Sequence, residues 1–194
     1  MRVHPFKKGI RVLGVAESFR RGLDRSVLAG IVMRKDLIVD GVAFSRPELR
    51  GDDATERVIE LYERLGRKDV NVVMVSGAVI SLYNIIDLQK VYERLEIPLI
   101  SLSYRESKGL EGTIKRHFPN SWRKKVEMYK KLGKRESVLL KTGKKVFIRR
   151  YGLEKEEAKG VVESFLLQGR YPEPVRVAGL LARAALRNLI DVNV

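Results

Sequence analysis

Three acids in this chain lie where their type and spacing could do chemistry: Glu17, Asp53 and Asp87. Glu17 closes the apolar run Ile10-Arg-Val-Leu-Gly-Val-Ala-Glu17, and Asp53 lies in Gly51-Asp-Asp-Ala-Thr-Glu56, where helical periodicity begins. Asp87 follows Asn84 by one helical turn in Asn84-Ile-Ile-Asp87. Carboxylates brought together from separate segments can hold two divalent cations roughly 4 Å apart, which polarise a phosphodiester and activate water. Glu17 and Asp53 are the metal-ligand candidates, and Mg²⁺ or Mn²⁺ is the cation that suits such oxygens.

Each acid also has a plainer reading. Side chains alternate faces along a strand, so either Ala16 or Glu17 holds the inward position, and Glu17 can be a solvent-facing strand-end acid. Asp53 and Glu56 match a capping box, with Asp53 as N-cap and Glu56 three residues on. Asn84 can serve as an N-cap, Asp52 as a turn residue, and Asp40 as a turn or bulge residue in Val39-Asp-Gly41. Ser76 ends an apolar run where a third acid would be wanted, and a hydroxyl is a poor ligand for a hard cation.

Composition narrows the alternatives. The 194 residues contain no cysteine, which removes disulfides, thiolate zinc sites and cysteine nucleophiles. His4 and His117 are too far apart in sequence to argue for zinc. No apolar run approaches a membrane span, and no secretory leader opens the chain, so a cytoplasmic protein is expected. The net charge of +15 is concentrated: Arg105 to Tyr151 carries 16 Lys or Arg against four Glu. Such a stretch is either a solvated surface or a footprint for phosphates. Arg105, Lys108, Lys115, Arg116, Arg123 and Lys124 are the candidate nucleic-acid contacts, although Lys108 can equally be a solvated lysine. The interleaved aromatics can stack on bases or be core.

These residues need a scaffold. Residues 10–17, 27–33 and 37–44 read as three strands in quick succession, an antiparallel meander. A helix follows from Asp53 to Gly66, with apolar residues at helical spacing. Residues 70–75 read as a buried strand, 84–95 as a helix and 98–103 as a parallel strand, a right-handed crossover. This order predicts an α/β, RNase H-like fold with a mixed five-stranded sheet flanked by helices. A single domain is expected over 1–194, with a core at about 8–104 and a basic C-terminal elaboration at about 105–194. In the latter, a helix is expected over 112–131, a hairpin around Thr142-Gly143, a helix over 154–167, a turn at Pro172-Glu-Pro174 and a last helix to Ile190.

Arg11-Val-Leu-Gly-Val15, Gly51-Asp-Asp-Ala-Thr-Glu56, Ser76-Gly77, Tyr83-Asn-Ile-Ile-Asp87 and Gly169-Arg-Tyr-Pro-Glu-Pro-Val-Arg-Val-Ala178 resemble an archaeal endonuclease V-like family, "endonuclease dU". The resemblance runs over nearly the whole length, and the last segment is its most specific part. It implies an RNase H-like fold and magnesium-dependent cleavage of DNA near deaminated bases, such as uracil or hypoxanthine. Asp53 carries over as a metal ligand, and Glu17 stands where the family's first strand ends in two acids, here Ala16 and Glu17. Ser76 replaces the acid that endonuclease V has at the end of the parallel strand. Asn84 and Asp87 match the family's own motif. Pro172, Glu173, Pro174 and Arg176 are read as fixing the last helix. The alternatives are a catalytically eroded nucleic-acid-binding protein and an assembly subunit of the same fold.

Overall fold

The computed structural model describes residues 9–191, with side chains through Asn188, so His4 lies outside the described residues. Strands β1 (Arg11–Ser18), β2 (Val27–Arg34) and β3 (Val39–Ser45) form the expected antiparallel meander. Asp40 is the extra residue of a bulge, since Val32 pairs with Gly41 while Met33 pairs with Val39. Its carboxylate takes an ion pair from Arg11 at 3.0 Å and one from Arg67.

Helix α1 (Ala54–Leu65) buries Val58, Ile59 and Leu61 at helical spacing and ends at a left-handed Gly66. Strand β4 (Val72–Ser76) then runs parallel to β1. A two-stranded hairpin follows, β5 (Val79–Ile80) and β6 (Asn84–Ile85). The sequence expectation of a helix from 84 is corrected: helix α2 spans Leu88–Leu95 with Asp87 as its N-cap. The apolar Ile85 and Ile86 suit strand and helix equally, and their burial in the hairpin decides it. Strand β7 (Leu99–Ser103) completes the crossover, parallel to β4.

The basic stretch forms two helices rather than one, α3 (Glu111–His117) and α4 (Trp122–Lys131), because Pro119 interrupts the ladder. Strands β8 (Glu136–Leu139) and β9 (Lys145–Tyr151) are the expected hairpin. β9 pairs with β7, so the sheet has seven strands instead of five, in the order β3-β2-β1-β4-β7-β9-β8. Helix α5 (Lys155–Ser164) opens on a capping box between Glu154 and Glu157. Helix α6 (Glu173–Asp191) starts within the Pro-Glu-Pro segment, Pro174 sitting in its first turn where the missing N–H costs nothing.

Both faces of the sheet are covered. Val12 and Ala16 of β1 share a core with Val161, Val162 and Ala178, while Leu13 and Val15 share the other with Val58, Leu61 and Val91. Gly14 lets α6 approach: a Cβ there would sit 2.3 Å from the Pro174 carbonyl carbon. The parallel strands β1, β4 and β7 end along one edge of the sheet, and α1 begins at that same edge.

Candidate functional site

Alternation settles the orientation of Glu17. Both faces of β1 are covered, so Ala16 packs towards α6 and Glu17 turns to the other side, with Leu13, Val15 and the start of α1. Both of its oxygens are engaged by one residue, Ser81, whose N–H and Oγ each donate at 2.9 Å. Ser26 Oγ lies 2.7 Å from Ser81 Oγ and closes a buried hydroxyl network. Burial pushes the Glu17 carboxyl above its ordinary value, against the pull of the Ser81 and Ser26 hydrogen bonds.

Ser81 belongs to an unusual turn. Ser81, Leu82 and Tyr83, which join β5 to β6, have φ of 46°, 55° and 72°. Three successive left-handed non-glycine residues cost on the order of 1–2 kcal/mol each. The neighbours hold both ends of the turn. Arg50 N–H donates to the Ser81 carbonyl at 2.7 Å, and Lys125 Nζ donates to the Tyr83 carbonyl at 3.3 Å. The Tyr83 ring stacks on His117 at 5.3 Å and meets Phe118 edge-on.

Asn84, fully buried, ends the turn and reaches the second acid. Its Nδ2 donates to Asp53 Oδ1 at 2.7 Å and to the Glu48 carbonyl, while its Oδ1 accepts from Ala54 N–H at 2.9 Å. Asn84 therefore caps α1 through space. Asp53 occupies the N-cap position but makes no side-chain cap; its carboxylate accepts from Glu48 N–H and from Arg57 Nε at 2.9 Å. Burial would raise the Asp53 carboxyl, but Arg57, Asn84 and the Glu48 amide together hold it below the usual range. Glu56, the expected partner in a capping box, pairs with Lys90 instead.

Glu17 and Asp53 are thus placed on the same face of the sheet, at the two ends of one strained hairpin. The remaining candidates are elsewhere. Asp87 accepts from Lys90 N–H as the cap of α2. Ser76 shares the α6 side with Met74 and lines a crevice with Tyr104 and Tyr171. Lys115 and Arg123 lie over the Trp122 ring, at 4.6 and 5.7 Å. Lys124 pairs with Asp52, Arg116 is exposed, and Arg105 and Lys108 lie beyond β7.

Their partners decide whether these acids fit a pair of divalent cations. Asp53 is neutralised by Arg57, each Glu17 oxygen already accepts a bond from Ser81, and Asp87 is spent on a helix end. No cluster of three or more histidines or acids able to hold a metal occurs among the described residues. As arranged, the residues do not fit a two-cation site.

The turn instead walls a cavity of about 840 Å³. Leu82, Tyr83 and His117 form one side, Arg21 to Arg25 of the β1–β2 connection another, and Glu48 to Arg50 the third. Arg25 is paired with Glu48 at 2.6 Å, and Arg50 Nη2 donates to the His117 carbonyl. Arg21 has no ion-pair partner among the described residues. No local sequence signal marks Ser26, Ser81 or Lys125. Lys125 is 4% exposed and donates to the Gly51 carbonyl at 2.7 Å and Asp52 Oδ1 at 2.6 Å.

A UPF0215 protein of Pyrobaculum calidifontis is 35% identical over 171 residues, 88% of this chain and 93% of that protein. The crystal structure of a protein of unknown function from Archaeoglobus fulgidus superposes with a TM-score of 0.77 at 24% identity, covering 91% of this chain and 98% of the other. Human endonuclease V gives a TM-score of 0.64 at 18% identity, covering 96% and 88%. Endonuclease V of Ciona intestinalis, bound to a DNA containing an inosine followed by a ribo-adenosine, gives 0.60 at 16%, covering 94% and 87%. At these identities the structures show a shared fold, the mixed sheet flanked by helices. The family described as Endonuclease dU matches residues 8–186, and the chain belongs to that family.

Proposed function

We propose that this protein is an endonuclease V-like nuclease that binds DNA and receives a deaminated base, uracil or hypoxanthine, in the cavity beside Tyr83. One observation carries the reading: a cavity lined by Arg21, Arg25 and Arg50 beside Asp24 and Glu48, with a stacked Tyr83–His117 pair, adjoins both Glu17 and Asp53 through a single hairpin. Arginines offer phosphate contacts and the rings offer a face for a base. A base taken out of the helix costs least when its pairing is already weak, which favours deaminated bases. The solved complex of Ciona endonuclease V with inosine-containing DNA supports the ligand class.

Glu17 and Asp53 are the proposed catalytic acids, Glu17 being the one whose proton is retained to higher pH by burial. Mg²⁺ or Mn²⁺ is the cofactor the family resemblance implies, and to bind it Asp53 would have to part from Arg57 and Glu17 from Ser81. That occupancy of the acids favours a second reading, a nucleic-acid-binding protein without turnover.

The two readings separate in one experiment. Duplexes carrying uracil, hypoxanthine or neither are incubated with the protein, with and without Mg²⁺ or Mn²⁺, beside Asp53→Ala and Tyr83→Leu variants. Cleavage next to the altered base, lost in Asp53→Ala, supports the nuclease. Lesion-selective binding that Tyr83→Leu abolishes, without cleavage, supports the second reading. Equal affinity for all three duplexes refutes the base cavity.

A further inference from the structure

Beyond the ends of β4 and β7, the sheet edge carries two hollows that the acids and the base cavity do not use. The first is a crevice of about 360 Å³ that includes Ser76, Ser103, Tyr104 and Tyr171. The second, about 460 Å³, lies between α4 and the segment after β7, with Lys108, Tyr129, Lys134, Phe147 and Arg149 in its wall. Arg135 lines both, donating from Nη1 to the Arg105 carbonyl at 3.0 Å, its guanidinium 5.0 Å over the Phe147 ring. The two hollows adjoin as one bent groove-like edge, sharing Glu106, Ser107 and Arg135 in their walls.

The two hollows gather five cations, Arg105, Lys108, Lys134, Arg135 and Arg149, none of which has a carboxylate within 4 Å among the described residues. Arg149 is half-buried, held by a bond from Nε to the Gly133 carbonyl at 3.0 Å. Its burial lowers the guanidinium's proton affinity; Tyr129 opposes this, and the like charge of Arg135 adds to it. Partly desolvated like charges without a counter-charge are stabilised by an anion that enters between them. Glu106 is the one acid on the lining.

Aromatic faces alternate with the charges. Tyr171, 43% exposed, rests against Tyr104 at 4.2 Å, and Phe147 and Tyr129 are half-buried in the second hollow. A row of phosphate-seeking cations beside recessed rings suits a chain whose bases are free to stack on protein. Bases inside a duplex are stacked on one another and cannot enter. We propose that this groove is a track for single-stranded nucleic acid, running along the sheet edge towards the hairpin that joins Glu17 and Asp53. The proposal deepens the reading above and rests on it for the ligand class alone.

The test is fluorescence anisotropy on the full chain with a thymidine oligonucleotide, its RNA counterpart and the matching duplex, across a salt series. Tighter binding of either single strand than of the duplex is expected. Tyr171→Leu keeps apolar bulk, removes the exposed ring of the lining and should weaken the single strand roughly 5- to 100-fold, the range of one lost base–aromatic stack. Lys108→Ser combined with Lys134→Ser, both at exposed positions, should make the slope of log K against log salt shallower by about 1.4, at about 0.7 per phosphate contact. Duplex bound as tightly as single strand overturns the proposal. So does displacement of the oligonucleotide by polyglutamate at equal charge concentration, which would mark an acidic protein partner. An unchanged salt slope in the double variant, with melting temperature preserved, also overturns it. Tyr83→Leu separates the two readings: it should abolish lesion preference on duplexes yet leave the unmodified single strand bound.

Discussion

Replacing Lys125 by methionine tests whether the hairpin is held by the charge beneath it. The ammonium is buried, donating to the Gly51 and Tyr83 carbonyls and to Asp52, and it lies 4.8 Å from the centre of the Phe118 ring. Methionine fills the space of the stem and keeps a favourable contact with the ring. Hydrogen bonds to a charged donor contribute about 1.5–3 kcal/mol each, and the 3.3 Å bond to Tyr83 counts for little. Asp52 is 42% exposed and regains water, so its lost pairing adds little, and removing a buried charge returns part of the desolvation cost. The net loss is about 2–3 kcal/mol, which for a chain of this size lowers Tm by about 5–10 °C. Circular dichroism melts at several pH values check it. Burial would raise the Asp52 carboxyl, but Lys125 and then Lys124 hold it below its ordinary 3.8. That stability is present above pH 3.8 and is lost as pH falls through the lower folded value. The gap between wild type and Lys125→Met should therefore be full at neutral pH and narrow slightly, without closing, in strong acid, because the carbonyl bonds do not titrate. An unchanged Tm at pH 7, or a gap that widens on acidification, refutes the assignment.

Gly14→Ala should destabilise by about 3 kcal/mol in urea, because its Cβ meets the Pro174 backbone at 2.3 Å and neither partner can turn away; Gly30→Ala, which meets the movable Leu61 Cδ2, should cost nearer 1 kcal/mol. Glu17→Gln should melt above wild type at pH 7: the folded pKa is raised, so ionisation costs stability as pH climbs from the unfolded 4.5 through the folded value, and the amide does not ionise. The difference should vanish below pH 4, and a variant less stable at every pH would contradict it. Asp53→Ala strips the acceptor from Asn84 Nδ2, Arg57 Nε and Glu48 N–H; a loss of about 2–3 kcal/mol with faster hydrogen exchange at Glu48 is expected, and unchanged exchange there would refute the link.

The fold was legible wherever one local signal acted alone. The apolar runs of β1, β2 and β4, the periodicity of α1 and the bulge at Asp40 all follow from alternation and turn chemistry. The hairpin at Thr142-Gly143 was equally plain, but its docking beside β7 depends on pairing with residues some fifty positions away, which no local pattern encodes. The candidate site was legible only in its acids. Ser81-Leu-Tyr83 contains no glycine or asparagine to announce a left-handed turn, so nothing marked where Glu17 would be held. At Asp53 the capping pattern was present, yet tertiary contacts with Asn84 and Arg57 displaced the local bond.

These contacts change what a mutation at either acid can mean. Asp53 and Glu17 both hold the hairpin that shapes the cavity, so an alanine at either position removes a chemical group and a structural tie together. The amide at position 17 divides the two roles. Gln can accept from Ser81 N–H and donate to Ser81 Oγ, which then donates to Ser26, so the hydroxyl network persists while the proton-carrying acid is gone. Turnover lost in Glu17→Gln, with melting no lower than wild type and base-selective binding intact, assigns chemistry to the carboxyl. Turnover kept in Glu17→Gln and lost in Ser81→Gly would instead make Glu17 a tie for the turn, and the reacting acid would have to be Asp53.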